Sequence, residues 1–295
     1  MLPAFMSEPA PAGRVALALG LLYVLWGTTY FGIRVALEGF PPLLMSGGRF
    51  FAAGTLLYVV VRLRGAPRPS ARQWGSAALV GGLLVAANAL VTVAERTVSS
   101  SLAAVVAAST PLWAVLVAGA WGEWPRRAEW LGLVVGLAGV VVLQAGGGLR
   151  ASPAGAAVLL ASTWAWALGS MWSRRLPMPE GLVSPAAQMM CGGAVFLAAA
   201  LLHGERPLPG LGWRPVVAWF YLLLFGSLVG YVSFNYLLRR VRPALATSYA
   251  YVNPAVAVAI GAVAGEAVGL RTVAALALIL AGVALVAVSR QARSA

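Results

Sequence analysis

Runs of about 20 almost uncharged residues return ten times along this chain, and nothing else in the sequence limits its fold as severely. A helix rises 1.5 Å per residue, so about 20 apolar residues span the ~30 Å hydrocarbon layer of a membrane. The runs lie near residues 15–33, 42–61, 74–93, 98–121, 128–144, 154–173, 182–202, 215–238, 243–264 and 271–289. Charged or Pro/Gly-rich breaks separate them, among them 62–72 (RLRGAPRPSAR), 124–127, 146–153, 174–180 and 203–214. None is long enough to fold as a soluble domain. The fourth and fifth runs are the least cleanly divided, so nine or eleven crossings stay open on this reading. The first run lacks a small-residue cleavage site and ends at Gly32-Ile33-Arg34, which reads as a retained helix rather than a signal peptide.

Composition removes most alternatives. Only 10% of residues are charged, against about a quarter in a soluble globular protein, too few to cover a water-facing surface. All 21 basic residues are Arg, all 8 acids are Glu, and His203 and Cys191 are single. A disulfide within the chain is impossible, and a Ser-His-Asp triad, an aspartyl dyad, an HExxH site or a Cys-rich zinc site cannot be assembled. No enzyme, cofactor or metal is expected. A net charge of +13 would suggest nucleic acid if the Arg residues shared one soluble face. They instead punctuate the chain between apolar runs. The expected partners are therefore the lipid bilayer and a small-molecule substrate, with no nucleic acid; the oligomeric state is not readable.

The Arg residues also orient the chain. With ten crossings both termini share a side. Fourteen Arg fall there: 14, 62, 64, 68, 72, 126, 127, 174, 175, 239, 240, 242, 290 and 293. Six fall opposite, at 34, 96, 150, 206, 214 and 271, and Arg49 lies within a run. Positive loops stay in the cytoplasm, which predicts a multi-pass inner-membrane protein with both termini cytoplasmic.

A shift of 143 residues aligns the two halves. Arg96 falls on Arg239, Val98 on Val241, Ala103 on Ala246, Pro42 on Pro185, Pro111 on Pro254, Gly122-Glu123 on Gly265-Glu266, and Ala138-Gly139 on Ala281-Gly282. Five crossings per repeat is an odd number, so the second repeat enters the membrane from the opposite side. The expected fold class is an all-α polytopic membrane protein, with ten transmembrane helices as two inverted-topology repeats, an architecture used for alternating access. Its parts are an N-terminal cytoplasmic tail (1–14), a first five-helix repeat (15–144), a linker (145–153), a second repeat (154–289) and a C-terminal tail (290–295).

Trp26-Gly27, Ala36 to Pro42 (ALEGFPP) followed by Arg49-Phe50, and Pro111 to Glu123 ending in Gly-Glu carry a family pattern. It resembles the EamA-type branch of the drug/metabolite transporter superfamily over essentially the whole chain. The second half has Thr163-Trp164-Ala165 where the first has Leu25-Trp26-Gly27, so only the first half keeps the Trp-Gly pair. The resemblance implies a ten-helix inner-membrane carrier that exports amino acids or other metabolites, and the Trp and Tyr content is similar to that of aromatic amino acid exporters.

A carrier must gather polar and aromatic groups around a cavity, because an unsatisfied polar group is costly in lipid. Tyr23, Trp26, Gly27 and Tyr30 fall on one face of the first run, and Asn88 and Thr92 share a face of the third. Ser227, Tyr231, Phe234 and Asn235 do so in the eighth. Thr110 and Asn253, with Tyr251 nearby, stand beside Pro111 and Pro254, which are expected to kink their helices and act in gating. Trp164 and Trp166 lie deep enough to bind as well as to pack. The expected substrate-binding set is Tyr23, Trp26, Tyr30, Asn88, Thr110, Trp164, Trp166, Tyr231, Asn235, Tyr251 and Asn253, with Asn88 and Asn235 foremost. Gly132, Gly136 and Gly139 form a small-residue stripe for close helix packing. Trp121, Trp124, Trp130, Trp213 and Trp219 sit near run ends and read as interfacial anchors.

Proton-driven carriers usually place a carboxylate deep in the membrane. All eight Glu residues fall in loops, in the tail or near run ends, so the sequence predicts a facilitator. Arg49 is the one charge inside a run; it is expected to snorkel or to pair with Glu38, a substrate carboxylate being the alternative. The rival functions are a lipid-handling flippase and a proton-coupled drug exporter.

Overall fold

The computed structural model describes residues 11–94, 106–144, 153–263 and 269–288; for Tyr30, Gln144 and residues 257–263 it describes the backbone alone. Ten helices can be numbered in chain order: α1 (Ala12–Ala36), α2 (Pro42–Leu63), α3 (Ala71–Ala94), α4 (Thr110–Gly119), α5 (Arg127–Gln144), α6 (Pro153–Trp172), α7 (Val183–Leu202), α8 (Trp213–Arg240), α9 (Tyr249–Val263) and α10 (Leu270–Val288). A single turn, Pro243–Ala246, precedes α9. No strand occurs among the described residues. Each of the ten expected runs overlaps one of these helices, and seven (α1, α2, α3, α6, α7, α8 and α10) are long and apolar enough to cross a membrane. Arg96, Val98, Ala103, Gly265, Glu266 and residues 145–152 of the linker lie outside the described residues.

Local chemistry sets the helix ends. Pro42 opens α2 at a position where its missing N–H has no intrahelical partner to lose. Past the end of α2, Gly65 takes a φ of +84°, and the Ala66 and Gly65 amides close back on the Val61 and Arg62 carbonyls. Gly204 does the same for α7, with a φ of +71° and Glu205 N–H closing on Ala200. This glycine-terminated cap satisfies carbonyls that a helix end otherwise leaves orphaned.

Pro111 corrects one expectation. The fourth run breaks at Ala108-Ser109, and Pro111 stands in the first turn of α4 rather than kinking a continuous helix. Pro254 does lie inside α9. The eighth run holds a second irregularity: Leu222–Val229 is wound as a π-helix within α8.

Glycines decide which helices touch. A Cβ on Gly47 would strike the backbone of Leu197, and one on Gly54 that of Met190, so α2 and α7 lie antiparallel with their backbones in contact. The α5 stripe meets α10 in the same way. A Cβ on Gly132 would sit 2.6 Å from the Gly282 carbonyl, and one on Gly139 2.8 Å from the Ile279 nitrogen. Gly136 faces both the Tyr251 ring and Gly282. Absent side chains bring the backbones close enough for dispersion to hold them. The buried side chains form two main clusters, one on α1, α4, α5, α6, α9 and α10 and the other on α2, α3 and α7; α8 contributes to both, and Trp166 of α6 packs against both. Large apolar side chains such as Phe31, Leu56, Val195 and Leu280 point outward.

Candidate functional site

Between the two clusters lies a cavity of about 120 Å³. α1 supplies Trp26 and Thr29, α2 supplies Arg49 and Phe50, and α3 supplies Asn88. Thr110 of α4, Ser162, Thr163 and Trp166 of α6, Gly226 of α8, and Tyr249 and Asn253 of α9 complete most of the wall. A second cavity, of about 790 Å³, lies toward the Arg-rich end between α1, α7, α8 and the loop after α6. The two share no lining residue. Along α1 the order is Leu17, Ala18 and Leu21 on the larger cavity, then Trp26, Thr29 and Ile33 on the smaller. Along α8, Gly226 faces the smaller cavity, and Val232 to Arg240 contribute to the larger.

An aromatic layer stands at the changeover. The Trp26 ring lies 5.4 Å from Trp166, 5.3 Å from Phe234 and 4.7 Å from Tyr249, and Phe234 also meets Trp166 and Tyr249. Edge-to-face pairs dominate the layer, the arrangement that ring quadrupoles favour. Trp26 is held by its indole N–H, which donates to the Gly226 carbonyl at 2.9 Å inside the π-helical segment. Glycine at 230 leaves room for that indole.

Arg49 does not reach an interface, and its partner is not Glu38. It is 2% exposed, donates to the Asn88 side-chain oxygen at 2.5 Å and lies 4.6 Å from the Phe50 ring centre. Its Nε has no partner among the described residues; neither do the Trp166 indole nitrogen, the Asn253 side-chain oxygen or the Ser227 hydroxyl.

The expected binding residues therefore divide. Trp26, Asn88, Thr110, Trp166 and Asn253 meet at the smaller cavity. Five others do not join them. The Tyr23 hydroxyl pairs with Ser248 at 2.6 Å, and the Tyr251 hydroxyl donates to the Leu133 carbonyl at 3.1 Å. Trp164 is 40% exposed and packs on Trp113 at 4.7 Å. The Tyr231 hydroxyl donates to Gln188 at 2.9 Å, and Gln188 donates in turn to Asn235 at 3.2 Å and Ser184 at 3.0 Å. Asn235 lines the larger cavity. The Tyr30 side chain lies outside the described residues.

Residues that sequence reasoning missed include Gln188, Thr29, Ser162 and the ion pairs at the Arg-rich end. Gln188 had a signal, as the single amide in an apolar run. Glu123 receives Arg174 at 2.9 Å and Arg175 at 2.6 Å. Burial pulls the Arg174 guanidinium below its ordinary range, and Glu123 pulls it back up. Glu129 is buried in the first turn of α5, taking Arg242 at 2.5 Å and the Arg126 amide at 2.8 Å.

Comparison with known proteins matches the chain to a transporter family. The EamA-like transporter family matches the chain twice, over residues 14–144 and 153–288. The uncharacterized inner membrane transporter YedA of Escherichia coli (strain K12) is 45% identical over 248 residues, covering 83% of this chain and 80% of that protein. A probable terminal-alkyne amino-acid exporter of Streptantibioticus cattleyicolor is 30% identical over 248 residues, 82% of each chain. A solved crystal structure superposes with a TM-score of 0.80 at 23% identity, covering 97% of this chain and all of that one, a likeness of fold.

Proposed function

The chain belongs to the EamA-like transporter family, and from that premise we propose that it exports small amphipathic metabolites, amino acids first among them, across the inner membrane by alternating access. The observation that carries the reading is the pair of cavities on either side of the Trp26–Trp166–Phe234–Tyr249 layer. A substrate moving from one to the other must part that layer, and it is the barrier in this mechanism. Ten crossings in two inverted repeats, with both termini cytoplasmic, are part of the proposal. The antiparallel contact of α2 with α7, and of α5 with α10, supports it, because inversion turns each helix against its repeat-mate. The contacts are also exchanged by the 143-residue shift: Gly47 with Leu197 becomes Met190 with Gly54, and Gly139 with Ile279 becomes Gly282 with Gly136.

The amino-acid preference draws on the exporter of Streptantibioticus cattleyicolor, named for that cargo. The smaller cavity holds about 120 Å³, against about 790 Å³ for the larger. That size favours small side chains, and an aromatic amino acid requires the cavity to widen. Among the described residues no Glu lines it, so we propose a facilitator. Proteoliposomes loaded with a mixture of labelled amino acids, aromatic ones included, test the reading. Release above protein-free vesicles without an imposed pH gradient is expected. Absence of release overturns transport of amino acids, and strict dependence on the gradient overturns the facilitator. A lipid-handling reading draws on the larger cavity, where Leu17 and Leu21 stand with Arg14 and Arg240. Scrambling of a labelled phospholipid in the same vesicles separates it.

A further inference from the structure

We propose that the Arg49 guanidinium is the counter-ion for a substrate carboxylate, and that the smaller cavity selects small amino acids through it. The proposal rests on the transport reading above and adds what the cavity recognises.

Three observations meet at this point. Arg49 is buried on α2 with no carboxylate paired to it among the described residues; the Glu123 and Glu129 pairs lie at the Arg-rich end. A buried charge without a counter-ion is costly, and the amide of Asn88 offers hydrogen bonding without charge. Arg49 lines a cavity that also carries a second unpartnered donor, the Trp166 indole nitrogen. Across the same lining, the unpartnered Asn253 oxygen is an acceptor. A cation and a neutral donor with an acceptor in one small cavity match a zwitterion, with its carboxylate on Arg49 and its ammonium on Asn253. The planar guanidinium fork fits a carboxylate with two parallel hydrogen bonds. Asn88 then acts as the positioning residue: it holds the Nη2 end of the fork and leaves Nε without a partner among the described residues.

The test is a matched pair of substrates. Proteoliposomes holding the full chain are loaded with labelled glycine, alanine, serine or threonine, or with the corresponding amino alcohols, which keep the ammonium and lose the carboxylate. Protein-free vesicles supply the leak rate. For the wild-type chain we expect release of the amino acids over the alcohols by about a hundredfold, the factor that charge-assisted hydrogen bonds are worth. In Arg49→Gln that ratio falls toward one, and Arg49→Lys keeps the preference at a lower rate. Equal wild-type release of acids and alcohols, or an unchanged ratio in Arg49→Gln, overturns the carboxylate site and leaves transport standing. No release of any compound in the wider panel overturns transport itself. Should Arg49→Gln fail to fold, the thermal midpoint of the wild-type chain decides. The amino acids must raise it in detergent and the alcohols must not, and equal or absent shifts overturn the proposal.

Discussion

The Trp26 indole occupies space that Gly230 leaves by having no side chain. A Cβ at 230 would overlap the indole nitrogen that donates to the Gly226 carbonyl. The aromatic layer thus depends on the glycine that directly follows the π-helical segment. Gly230→Ala is expected to lower stability by about 1–3 kcal/mol through overpacking. It also shifts Trp26 within its layer, so flux should fall further than the amount of folded protein. Gly82→Ala, where a Cβ meets nothing within 4 Å, is the control and keeps both. Equal flux per folded molecule in the two variants would remove Trp26 from the barrier.

Glu129 carries a second prediction. Its carboxylate is buried, capped by the Arg126 amide and closed by Arg242. Removing one partner of such a pair strands the other charge, at about 3–5 kcal/mol. Arg242→Ala should therefore destabilise the chain more than Glu129→Gln, which keeps an oxygen for the amide. The double variant should be more stable than Arg242→Ala alone. Thermal unfolding in detergent reads all three, and simple additivity counts against the pairing.

Gly139 and Gly282 are repeat-mates on α5 and α10, and each is pressed against the backbone of the opposite helix. Backbone cannot yield as a flexible side chain can. Gly139→Ala and Gly282→Ala should each cost about 1–3 kcal/mol. Once one added methyl parts the helices the second meets less, so the double variant should cost less than the sum of the two. Unfolding in mixed detergent micelles measures the three values.

Much of the helical layout was legible because a membrane helix has to be apolar for its whole length. The run 42–61 became Pro42–Leu63, and 74–93 became Ala71–Ala94. The fourth run was not, because its break at Ala108-Ser109 sits within apolar sequence and leaves hydropathy unchanged. At the site, helical spacing could place Asn88 and Asn235 on polar faces but could not say what each face meets. One meets Arg49 beside the smaller cavity; the other meets Gln188 beside the larger. The same limit hid the Arg49 partner, which lies 39 positions away on another helix. Glycine was the most informative residue in retrospect: Gly47, Gly54 and Gly193 mark where α2 and α7 meet, which composition alone reads as mere smallness.

The proposed inversion makes a prediction about two loops. The segment after α2, with Arg64 and Arg68, and the segment after α7, with Glu205 and Arg206, occupy equivalent places in the two repeats. In a parallel duplication both face the same side of the membrane, whereas five crossings per repeat put them on opposite sides. Arg68 and Arg206 are exposed, so cysteines there are accessible to a membrane-impermeant maleimide. With Cys191 replaced by Ser, Arg206→Cys should be labelled in intact cells, and Arg68→Cys only after the cells are opened. Glu38→Cys, between α1 and α2, should behave as Arg206→Cys does, and Glu180→Cys, between α6 and α7, as Arg68→Cys does. Labelling of positions 68 and 206 from the same side would exclude the inverted repeat, and with it the symmetry that lets one five-helix unit rock against the other.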